Sequence, residues 1–434
     1  MLQSILAVTG NPALHSLSPV LMNAAAQYNG IPCRYLRLPA ESAQEAIDVF
    51  NALDLRGMNV TAPFKHEIIP LLDHLTPNAT KADAVNCVYR RDGALWGDNT
   101  DITGVELTLK KYPEYIAQGK MLVIGSGGAA NAVIIAGQNL GLEVTVAARN
   151  QEALAALKQK YNVLSTSLKH ITSTINNYPI IVQALPSGAV VFDPNVLTAN
   201  HVVLDANYKD SIFEKSAAKI GFNFLSGRNW LVNQAVPAFK TFAGCDVDAS
   251  VMYDALDNYH LDYQGRIALV GFMGVGKTTA GRELAYALNY RFIDMDHELE
   301  RREGMSITEI FAQKGEEYFR EIESNLLLEY ADEVDIILSC GGGTVKSAEN
   351  RQVLRDNFVT LWLYASAAYC IDGLDVSNRP LLQCDNRLEV ATQMLQERIP
   401  LYADSAYGIV SVENLTKKQT AKKLYEQIVN TFGI

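Results

Sequence analysis

One glycine-rich segment, past the middle of the chain, constrains the fold more than any other stretch. Residues 271–278 read GFMGVGKT, follow the apolar run 267–270, and precede a stretch whose apolar residues recur at helical spacing. A strand, a glycine loop and a helix in this order are the context of a phosphate-binding loop. In such a loop, backbone N–H groups and the helix N-terminus face the anion. The residues predicted to bind the phosphates are Gly274, Val275, Gly276, Lys277, Thr278 and Thr279.

Two side chains of this loop have predicted roles of their own. The amine of Lys277 is expected to reach the β- and γ-phosphates, and the hydroxyl of Thr278 is expected to bind Mg²⁺. The alternative is a glycine-rich turn that binds nothing. It is disfavoured because the whole motif and its strand, loop and helix context are all present.

The bulk properties of the chain exclude several classes of protein. With 434 residues it exceeds what one hydrophobic core usually supports, so two or three domains are expected. Its net charge of −11 argues against a nucleic-acid or anionic-membrane partner, but not against small anionic substrates. The six cysteines form no CxxC or metal-binding spacing, which indicates reduced thiols in a cytoplasmic protein. No apolar run approaches the roughly 20 residues that span a bilayer, and the oligomeric state stays open.

Short apolar runs alternate with helical patterns along the chain, which is typical of parallel α/β domains. Capping-box patterns at Ser42, Ser306 and Thr416 predict three helix starts. The polar, weakly periodic segment 254–266 is predicted to hold the main domain boundary. Strands are predicted over 2–9, 34–38, 57–61, 120–125, 143–148, 179–184, 201–206, 267–270, 336–339, 358–363 and 409–412.

Charged motifs after the phosphate loop narrow the chemistry of the second half. Asp294 and Asp296 lie two residues apart at the end of an apolar run, and alternate residues of an extended segment face the same side. Both carboxylates are therefore expected to point into one site, Asp294 near Mg²⁺ and Asp296 near an attacking hydroxyl. Further motifs follow at 316–323, 336–343, 379–382 and 398–402.

This ordered set of motifs closely resembles shikimate kinase over essentially all of residues 266–434. The resemblance implies a phosphate-loop kinase fold that uses ATP and Mg²⁺. It implies that Asp296 holds and activates the substrate hydroxyl, and that Asp294 orients the Mg²⁺ shell. It also implies that Arg320 and Arg398 bind the substrate carboxylate, because a guanidinium pairs bidentately with a carboxylate.

The resemblance extends to two further parts of the substrate site. Gly341, Gly342 and Gly343 are expected to supply close backbone contacts with the sugar-like ring. Arg379 is expected to lie in a lid and to neutralise charge on the transferring phosphoryl group. The segment 365–380 departs from the family because it lacks the basic residues that often precede this lid.

A second glycine loop lies in the first half of the chain. The apolar run 120–124 leads into Gly125, Gly127 and Gly128, and a helical stretch begins near Ala129. This pattern predicts a Rossmann-like dinucleotide site. The next strand ends before Arg149, and an arginine there suits the 2′-phosphate of NADP, whereas an acidic residue would suit NAD.

Motifs at 10–19, 59–65, 84–88 and 97–101, together with this loop, resemble shikimate dehydrogenase over roughly residues 1–250. The resemblance implies that Ser16 and Ser18 bind the substrate carboxylate. Lys65 and Asp101 match the catalytic pair. The residues implied to hold the ring hydroxyls are Thr61, Asn86 and Gln234.

The chemistry of the lysine and aspartate pair follows from elementary arguments. Reduction of a ketone needs a hydride at carbon and a proton at oxygen. A nearby carboxylate favours the ammonium form of a lysine. Lys65 is therefore expected to stabilise the developing alkoxide and to protonate it, while Asp101 orients the lysine and binds a neighbouring hydroxyl.

The two resemblances together predict a fold, a set of domains and a pair of reactions. The predicted α/β architecture is a substrate domain (1–103 with about 229–253), a Rossmann-like NADP domain (104–228), a linker (254–265) and a phosphate-loop kinase domain with a parallel sheet (266–434). The implied reactions are reduction of 3-dehydroshikimate to shikimate with NADPH and phosphorylation of shikimate with ATP and Mg²⁺.

Departures around the predicted cofactor site leave two alternatives for the first half. The family's usual residues are replaced at 148–150, at Ala153, at 183–186 and at 229–230. One alternative is a shikimate-binding or regulatory module without turnover. The other is a dehydrogenase that prefers quinate or NAD⁺.

Overall fold

Strands and helices alternate along the first part of the chain. The computed structural model describes residues 4–185, 188–207, 211–261, 263–372, 374, 382 and 384–434. The strands here are β1 (Ser4–Gly10), β2 (Cys33–Pro39), β3 (Gly57–Val60), β4 (His74–Leu75), β5 (Cys87–Arg91), β6 (Ala94–Asp98), β7 (Lys120–Ile124), β8 (Glu143–Ala147), β9 (Leu164–Thr166), β10 (Ile180–Gln183), β11 (Val202–Asp205) and β12 (Asn223–Leu225). The helices are α1 (Ser18–Tyr28), α2 (Ala43–Ala52), α3 (Phe64–Glu67), α4 (Pro77–Ala82), α5 (Asp101–Leu109), α6 (Pro113–Ile116), α7 (Gly128–Asn139), α8 (Gln151–Tyr161), α9 (Ile171–Thr174), α10 (Ile212–Ile220), α11 (Gly227–Ala243) and α12 (Ala249–Asp257).

The rest of the chain continues the alternation. Its strands are β13 (Arg266–Gly271), β14 (Arg291–Asp294), β15 (Ile336–Ser339), β16 (Val359–Tyr364) and β17 (Gly408–Ser411). Its helices are α13 (Lys277–Leu288), α14 (Met295–Glu303), α15 (Ile307–Tyr330, kinked at Gly315), α16 (Ala348–Asn357), α17 (Ala367–Ile371), α18 (Arg387–Ser405) and α19 (Lys417–Phe432). In the part of the chain that the structure describes, no helix is long and apolar enough to cross a membrane.

Residue contacts divide the chain into two units. The first unit joins residues 1–19 and 30–61 to residues 259–434, and the second contains 20–29 and 62–258. The division at 258/259 falls inside the segment where the linker is predicted. The four domain boundaries themselves stay a prediction.

The first unit contains a run of eight neighbouring parallel strands, in the order β14-β15-β13-β16-β17-β2-β1-β3. Strands β13, β15, β16 and β17 have almost every residue buried, which explains their continuous apolar sequences. Strand β17 pairs with β2 through Gly408 and Arg37. The phosphate-loop strands and the N-terminal strands therefore belong to one sheet.

The second unit contains a six-stranded parallel sheet in the order β12-β11-β10-β7-β8-β9. Its central strands β7, β10 and β11 are buried, and α5, α7 and α11 contribute to the apolar cluster on one face. The glycine loop at 125–128 follows β7, so the predicted dinucleotide loop lies at the carboxyl edge of a parallel sheet, where such folds bind ligands.

The α/β fold class is confirmed, and every predicted strand is present with ends shifted by at most two residues. The sequence reading missed β4, β5, β6, β9, β12 and β14. The antiparallel strands β5 and β6 are joined by a turn that contains Asp92 and Gly93, which both adopt positive φ. An Asp-Gly dipeptide is a sequence signal for such a hairpin. The capping boxes at Ser306 and Thr416 are present. At Ser42 only half of the box forms, since Glu45 accepts from the N–H of Glu41 instead.

Candidate active sites

The phosphate loop lies between β13 and α13, as the sequence predicts. Gly274 and Gly276 have φ of 78° and 96°, values that residues with side chains seldom adopt. A Cβ atom on Gly274 would also collide with the carbonyl oxygen of Cys370. At Gly276 the space around the missing side chain is open. The loop therefore keeps the exposed backbone concavity that a phosphate group requires.

Lys277 is the first residue of α13 and is buried. Its Nζ donates to the carbonyl oxygens of Gly271 at 2.9 Å and Phe272 at 3.1 Å. Burial lowers the pKa of this amine, and the negative charge of Asp296 opposes that shift. Neutral carbonyl dipoles hold the ammonium in place without cancelling its charge, so the site attracts an anion.

Thr278 and Asp294 meet beside the loop. The Thr278 hydroxyl donates to Oδ2 of Asp294 at 2.6 Å. Asp294 ends β14, and its other carboxylate oxygen accepts from the N–H of His297. Hydroxyl and carboxylate oxygens are the ligands that Mg²⁺ takes, so these two residues fit the predicted metal role.

Asp296 is placed differently from the sequence expectation. Asp294 and Asp296 do not share an extended segment, because the strand ends at Asp294 and Asp296 lies in the first turn of α14. The physical reason is that the Asp294 side chain caps the helix, which allows it to start at once. The predicted extended geometry is therefore wrong, although Asp294 contacts Thr278 and Asp296 interacts electrostatically with Lys277.

The surroundings of Asp296 are acidic. Burial raises its pKa to about 6, and the negative charges of Asp294 and Glu323 add to the shift while Lys277 opposes it. A carboxylate in this state is ionised at neutral pH but binds a proton far more readily than an exposed aspartate does. Such a group is suited to accept a proton from a hydroxyl.

The glycine run after β15 brings the other predicted residues together. A Cβ atom on Gly341 would lie 2.8 Å from Oδ1 of Asp296, and one on Gly343 would lie 2.7 Å from a guanidinium nitrogen of Arg320. The carbonyl oxygen of Gly342 accepts from Arg398 at 3.3 Å. Asp296, Arg320 and Arg398 thus surround one loop that has no side chains of its own.

The sequence does not single out three neighbours of this loop, namely Glu323, Thr344 and Tyr402. Glu323 is 1% exposed and accepts from Arg320 at 2.7 Å and from Thr344 at 2.6 Å. Tyr402 donates its hydroxyl to the Gly342 carbonyl at 2.9 Å. The spacing of Arg320 and Glu323 on a helix was the available signal. Arg379 lies outside the described residues.

The predicted acid–base pair of the first half is formed. Nζ of Lys65, on α3, lies 2.6 Å from Oδ2 of Asp101, the first residue of α5. The two side chains are 22% and 11% exposed. The indole N–H of Trp230, on α11, donates to the backbone carbonyl of Asp101 at 3.1 Å. Trp230 thus fixes the backbone of Asp101, while the carboxylate of Asp101 contacts the lysine.

A buried amide network adjoins this pair. Asn86 donates to the hydroxyl of Thr100 at 3.0 Å and to Oε1 of Gln234 at 3.4 Å. The N–H of Thr100 donates to Oδ1 of Asn86 at 2.8 Å. Gly104 lets α5 and α11 approach, because a Cβ atom there would lie 2.8 Å from Gln234. The structure therefore brings two predicted residues together and adds Thr100, which the sequence reading did not single out.

Ser16, Ser18 and Thr61 belong to the other unit and follow the carboxyl ends of β1 and β3. The Ser18 N–H donates to the Ser16 hydroxyl at 3.3 Å, and Ser18 begins α1. The Thr61 N–H donates to the carbonyl of Thr9 at 2.9 Å. Since β1 and β3 are parallel neighbours, these hydroxyl residues lie at one edge of their sheet.

The dinucleotide loop keeps an open cradle. Gly125 has φ of 130° and a Cβ atom there would collide with the carbonyl of Ala184. Gly127 caps α7, and both it and Gly128 have open space around them, with Ala129 following in the helix. Arg149 is exposed just after β8, the strand next to β7. These residues fit an NADP pyrophosphate and its 2′-phosphate.

The departures from the family lie close to this cradle. Gln183 ends β10, and its side chain donates to the carbonyl of Ala189 at 3.2 Å. Among the described residues its buried Oε1 has no hydrogen-bond partner. Pro186 lies outside the described residues. Asn229 caps α11 by accepting from the N–H of Ser226, so it has a structural role.

Comparison with known proteins assigns a relative to each half. The family model of the shikimate dehydrogenase substrate binding domain matches residues 8–88, and that of shikimate kinase matches residues 273–429. A shikimate dehydrogenase (NADP(+)) of Aquifex aeolicus is 36% identical over 251 residues, 56% of this chain and 93% of that protein. A shikimate kinase of Thermodesulfovibrio yellowstonii is 38% identical over 168 residues, 38% of this chain and 96% of that protein.

Solved structures agree for the first part of the chain. The crystal structure of shikimate dehydrogenase from Aquifex aeolicus has a TM-score of 0.56 and 33% identity, covering 59% of this chain and 98% of that one. A quinate dehydrogenase from Corynebacterium glutamicum, solved in complex with NAD, has a TM-score of 0.55 and 26% identity, covering 59% and 99%.

Proposed function

Because the chain belongs to the shikimate dehydrogenase family in its first part and to the shikimate kinase family in its second, we propose that its two sites act in sequence on one substrate. The enzyme is bifunctional: it reduces 3-dehydroshikimate to shikimate with NADPH, and it phosphorylates shikimate to shikimate 3-phosphate with ATP and Mg²⁺. The product of the first reaction is the substrate of the second. The single observation that supports two active sites best is that each half contains its own lysine in contact with acceptor groups.

In the reduction, NADPH supplies the hydride to the ketone carbon. Lys65 donates a proton to the ketone oxygen as the alkoxide develops, and Asp101 keeps the ammonium oriented. The carbonyl thereby becomes a secondary alcohol. Asn86, Thr100 and Gln234 form a buried polar surface that matches ring hydroxyls, and Ser16 with Ser18 offer hydroxyl donors to the carboxylate.

In the phosphorylation, Thr278 and Asp294 would hold Mg²⁺, which would neutralise charge on the ATP phosphates. Asp296 accepts the proton of the 3-hydroxyl as that oxygen forms its bond to the γ-phosphorus and ADP leaves. Lys277 anchors the β- and γ-phosphates. Arg320, held by Glu323, binds the carboxylate of shikimate together with Arg398. The role proposed for Arg379 is charge neutralisation at the transferring phosphoryl group.

The test is shikimate-dependent reduction of NADP⁺ and NAD⁺, measured side by side on the purified chain with shikimate and with quinate. We expect the highest kcat/KM for shikimate with NADP⁺, because Arg149 is exposed where a 2′-phosphate would lie. Arg149→Ala serves as the matched variant. It is expected to raise KM for NADP⁺ and leave KM for NAD⁺ unchanged.

Two other outcomes would favour the two alternatives for the first half of the chain. Shikimate binding without turnover, in a chain that still phosphorylates shikimate, would favour a regulatory first half. The observation that motivates this alternative is the buried Oε1 of Gln183 beside the cofactor loop, which has no hydrogen-bond partner within the described part of the chain. A higher kcat/KM for quinate or NAD⁺ would favour the second alternative, which the likeness to the quinate dehydrogenase motivates.

The proposal includes a cytoplasmic location with small-molecule partners alone. The acidic net charge of −11 supports the absence of a nucleic-acid partner. Cell fractionation that recovered the chain with membranes or nucleic acid would contradict this part of the proposal.

A further inference from the structure

The loop that follows β1, residues 11–17, is held by side chains from the far end of the sequence. This loop contains Ser16, the residue proposed to bind the carboxylate of shikimate in the dehydrogenase reaction. Its neighbours within the first unit come from the kinase half, around β17 and α19. Such contacts join residues about 400 positions apart, so no sequence pattern points to them.

Tyr407, just before β17, contacts the loop directly and also through Arg37. Its hydroxyl donates to the carbonyl of Leu14 at 3.0 Å. Its ring lies under the guanidinium of Arg37, whose carbon is 3.8 Å from the ring centroid. Arg37 in turn donates to the carbonyls of Tyr407 at 3.3 Å and Ser16 at 3.0 Å. Arg37 is 4% exposed, so this bridge from Tyr407 to Ser16 is shielded from water.

Gln427, on α19, contacts the start of the same loop. Its Oε1 accepts from the N–H of Ala13 at 3.4 Å, and its Nε2 donates to Oδ1 of Asn11 at 3.2 Å. Gln427 is 3% exposed and Ala13 is fully buried. An amide is suited to this position because it offers a donor and an acceptor together.

A part-buried ion pair one turn away keeps α19 in place. Nζ of Lys423 lies 2.6 Å from Oε1 of Glu45 on α2, and it also donates to the carbonyl of Ser411 at 3.3 Å. The helix that presents Gln427 is therefore attached to the N-terminal strands by charge as well as by packing. Gln427 therefore contacts the loop from a helix whose position is fixed.

We propose that Tyr407 and Gln427, two residues of the kinase half, are positioning residues for the dehydrogenase reaction. They fix the backbone of residues 11–17 and so hold Ser16 where it meets the substrate carboxylate. The inference rests on the proposed function of Ser16. It predicts a split effect, because loosening this loop weakens shikimate binding while the Lys65–Asp101 pair stays intact in the other unit.

The experiment measures both activities of the full-length chain in a Gln427→Leu variant, which keeps the side-chain size and removes both hydrogen bonds. The expected result is a rise of about tenfold in KM for shikimate during NADP⁺ reduction, since buried groups lose their partners. We expect kcat of that reaction, KM for NADP⁺ and both kinase constants to stay within about twofold. Glu426→Gln, an exposed neighbour on α19, is the matched control and is expected to change nothing.

A second variant keeps the test decisive if Gln427→Leu folds poorly. Tyr407→Phe removes only the hydroxyl that donates to Leu14 and retains the ring under Arg37. It is expected to raise KM for shikimate about threefold in the dehydrogenase assay alone. Unchanged KM in a folded Gln427→Leu chain would overturn the inference. So would a parallel fall of both activities with a lower melting temperature, because that pattern indicates general destabilisation.

Ser16→Ala separates failure of this inference from failure of the function on which it rests. If Ser16→Ala raises KM for shikimate and Gln427→Leu does not, the positioning claim is wrong and the role of Ser16 stands. If Ser16→Ala leaves KM unchanged, the proposed role of the loop is itself wrong, and the positioning claim is overturned with it.

Discussion

The two lysines that are proposed to be catalytic lie in opposite surroundings. Lys277 is buried at the start of α13, and its ammonium donates to two backbone carbonyls. Lys65 has a side chain that is 22% exposed and forms an ion pair with Asp101. Carbonyl dipoles leave the charge of Lys277 uncancelled, which suits a fixed anchor for phosphates. The carboxylate beside Lys65 instead cancels charge and orients a proton, which suits a proton donor.

The comparison extends to the acids around each lysine. Asp101 is held by Trp230 and acts on its lysine directly. Asp296 is an exposed residue whose carboxyl group is desolvated, and this desolvation is the chief cause that raises its pKa to about 6. In the proposed mechanism, one site therefore uses its acid to support a proton donor, and the other uses its acid as the proton acceptor. The following substitutions separate these roles, beginning with the largest expected effect.

Lys65→Ala is expected to lower kcat for reduction of 3-dehydroshikimate by about 10³-fold or more, since a general acid and the charge that stabilises the alkoxide are both lost. Lys65→Arg should remain nearly as inactive, because a guanidinium keeps the charge but does not give up its proton. NADPH oxidation measures this effect. Phosphorylation of shikimate by the same samples is the control and should stay within about twofold; loss of both activities would mean that the halves are coupled or misfolded.

Lys277→Ala is expected to give the reverse pattern. Phosphorylation should fall by about 10³-fold, because the positive charge that anchors the transferring phosphates is gone. Release of ADP measures this effect. Reduction of 3-dehydroshikimate should continue at the wild-type rate. A similar fall in both reactions would contradict the assignment of one lysine to each site.

Asp296→Asn should lower kcat of the kinase by about 10²- to 10³-fold, as expected when a base is removed. The wild-type pH profile sharpens this test. The folded-state pKa is about 6, so the carboxylate is protonated below that pH and cannot accept the hydroxyl proton. Kinase kcat/KM should therefore fall about tenfold per pH unit below about 6. A variant with near-normal rate, or a profile that stays flat down to pH 5, would remove Asp296 from this role.

Glu323→Gln is expected to have the smallest effect of the four. It weakens the hold on Arg320, so KM for shikimate in the kinase reaction should rise about tenfold while kcat changes little. Glu316 offers a matched control, because it pairs with the same arginine at 3.2 Å but its side chain is 58% exposed. Glu316→Gln should leave KM within about twofold. Equal effects of the two substitutions would refute the positioning role of Glu323.

Local patterns were enough to predict much of this molecule. The apolar runs around 267–270 and 120–124 predict strands, and the glycine loops after them predict helix starts, because each signal lies within a few residues. The motifs that contain Lys65 and Asp101 also predict that these two side chains form a pair, and the structure shows this contact.

Features that depend on distant residues or on competition between local signals were not predictable in this way. Asp296 was expected on an extended segment, but the capping preference of Asp294 ended the strand first. Glu323 on α15 and Thr344, which follows the glycine run after β15, form a hydrogen bond although they lie 21 positions apart in the sequence. The contacts of Gln427 with Asn11 and Ala13 join the two ends of the chain.

The most direct test of the bifunctional account is a single reaction with purified chain, 3-dehydroshikimate, NADPH, ATP and Mg²⁺. The account predicts that shikimate 3-phosphate accumulates, that omission of ATP stops the reaction at shikimate, and that omission of NADPH prevents any product. NADPH should be consumed in equal amount to the ADP released. If no NADPH is oxidised while added shikimate is still phosphorylated, the chain is a kinase with a non-catalytic first half, and the central claim is contradicted.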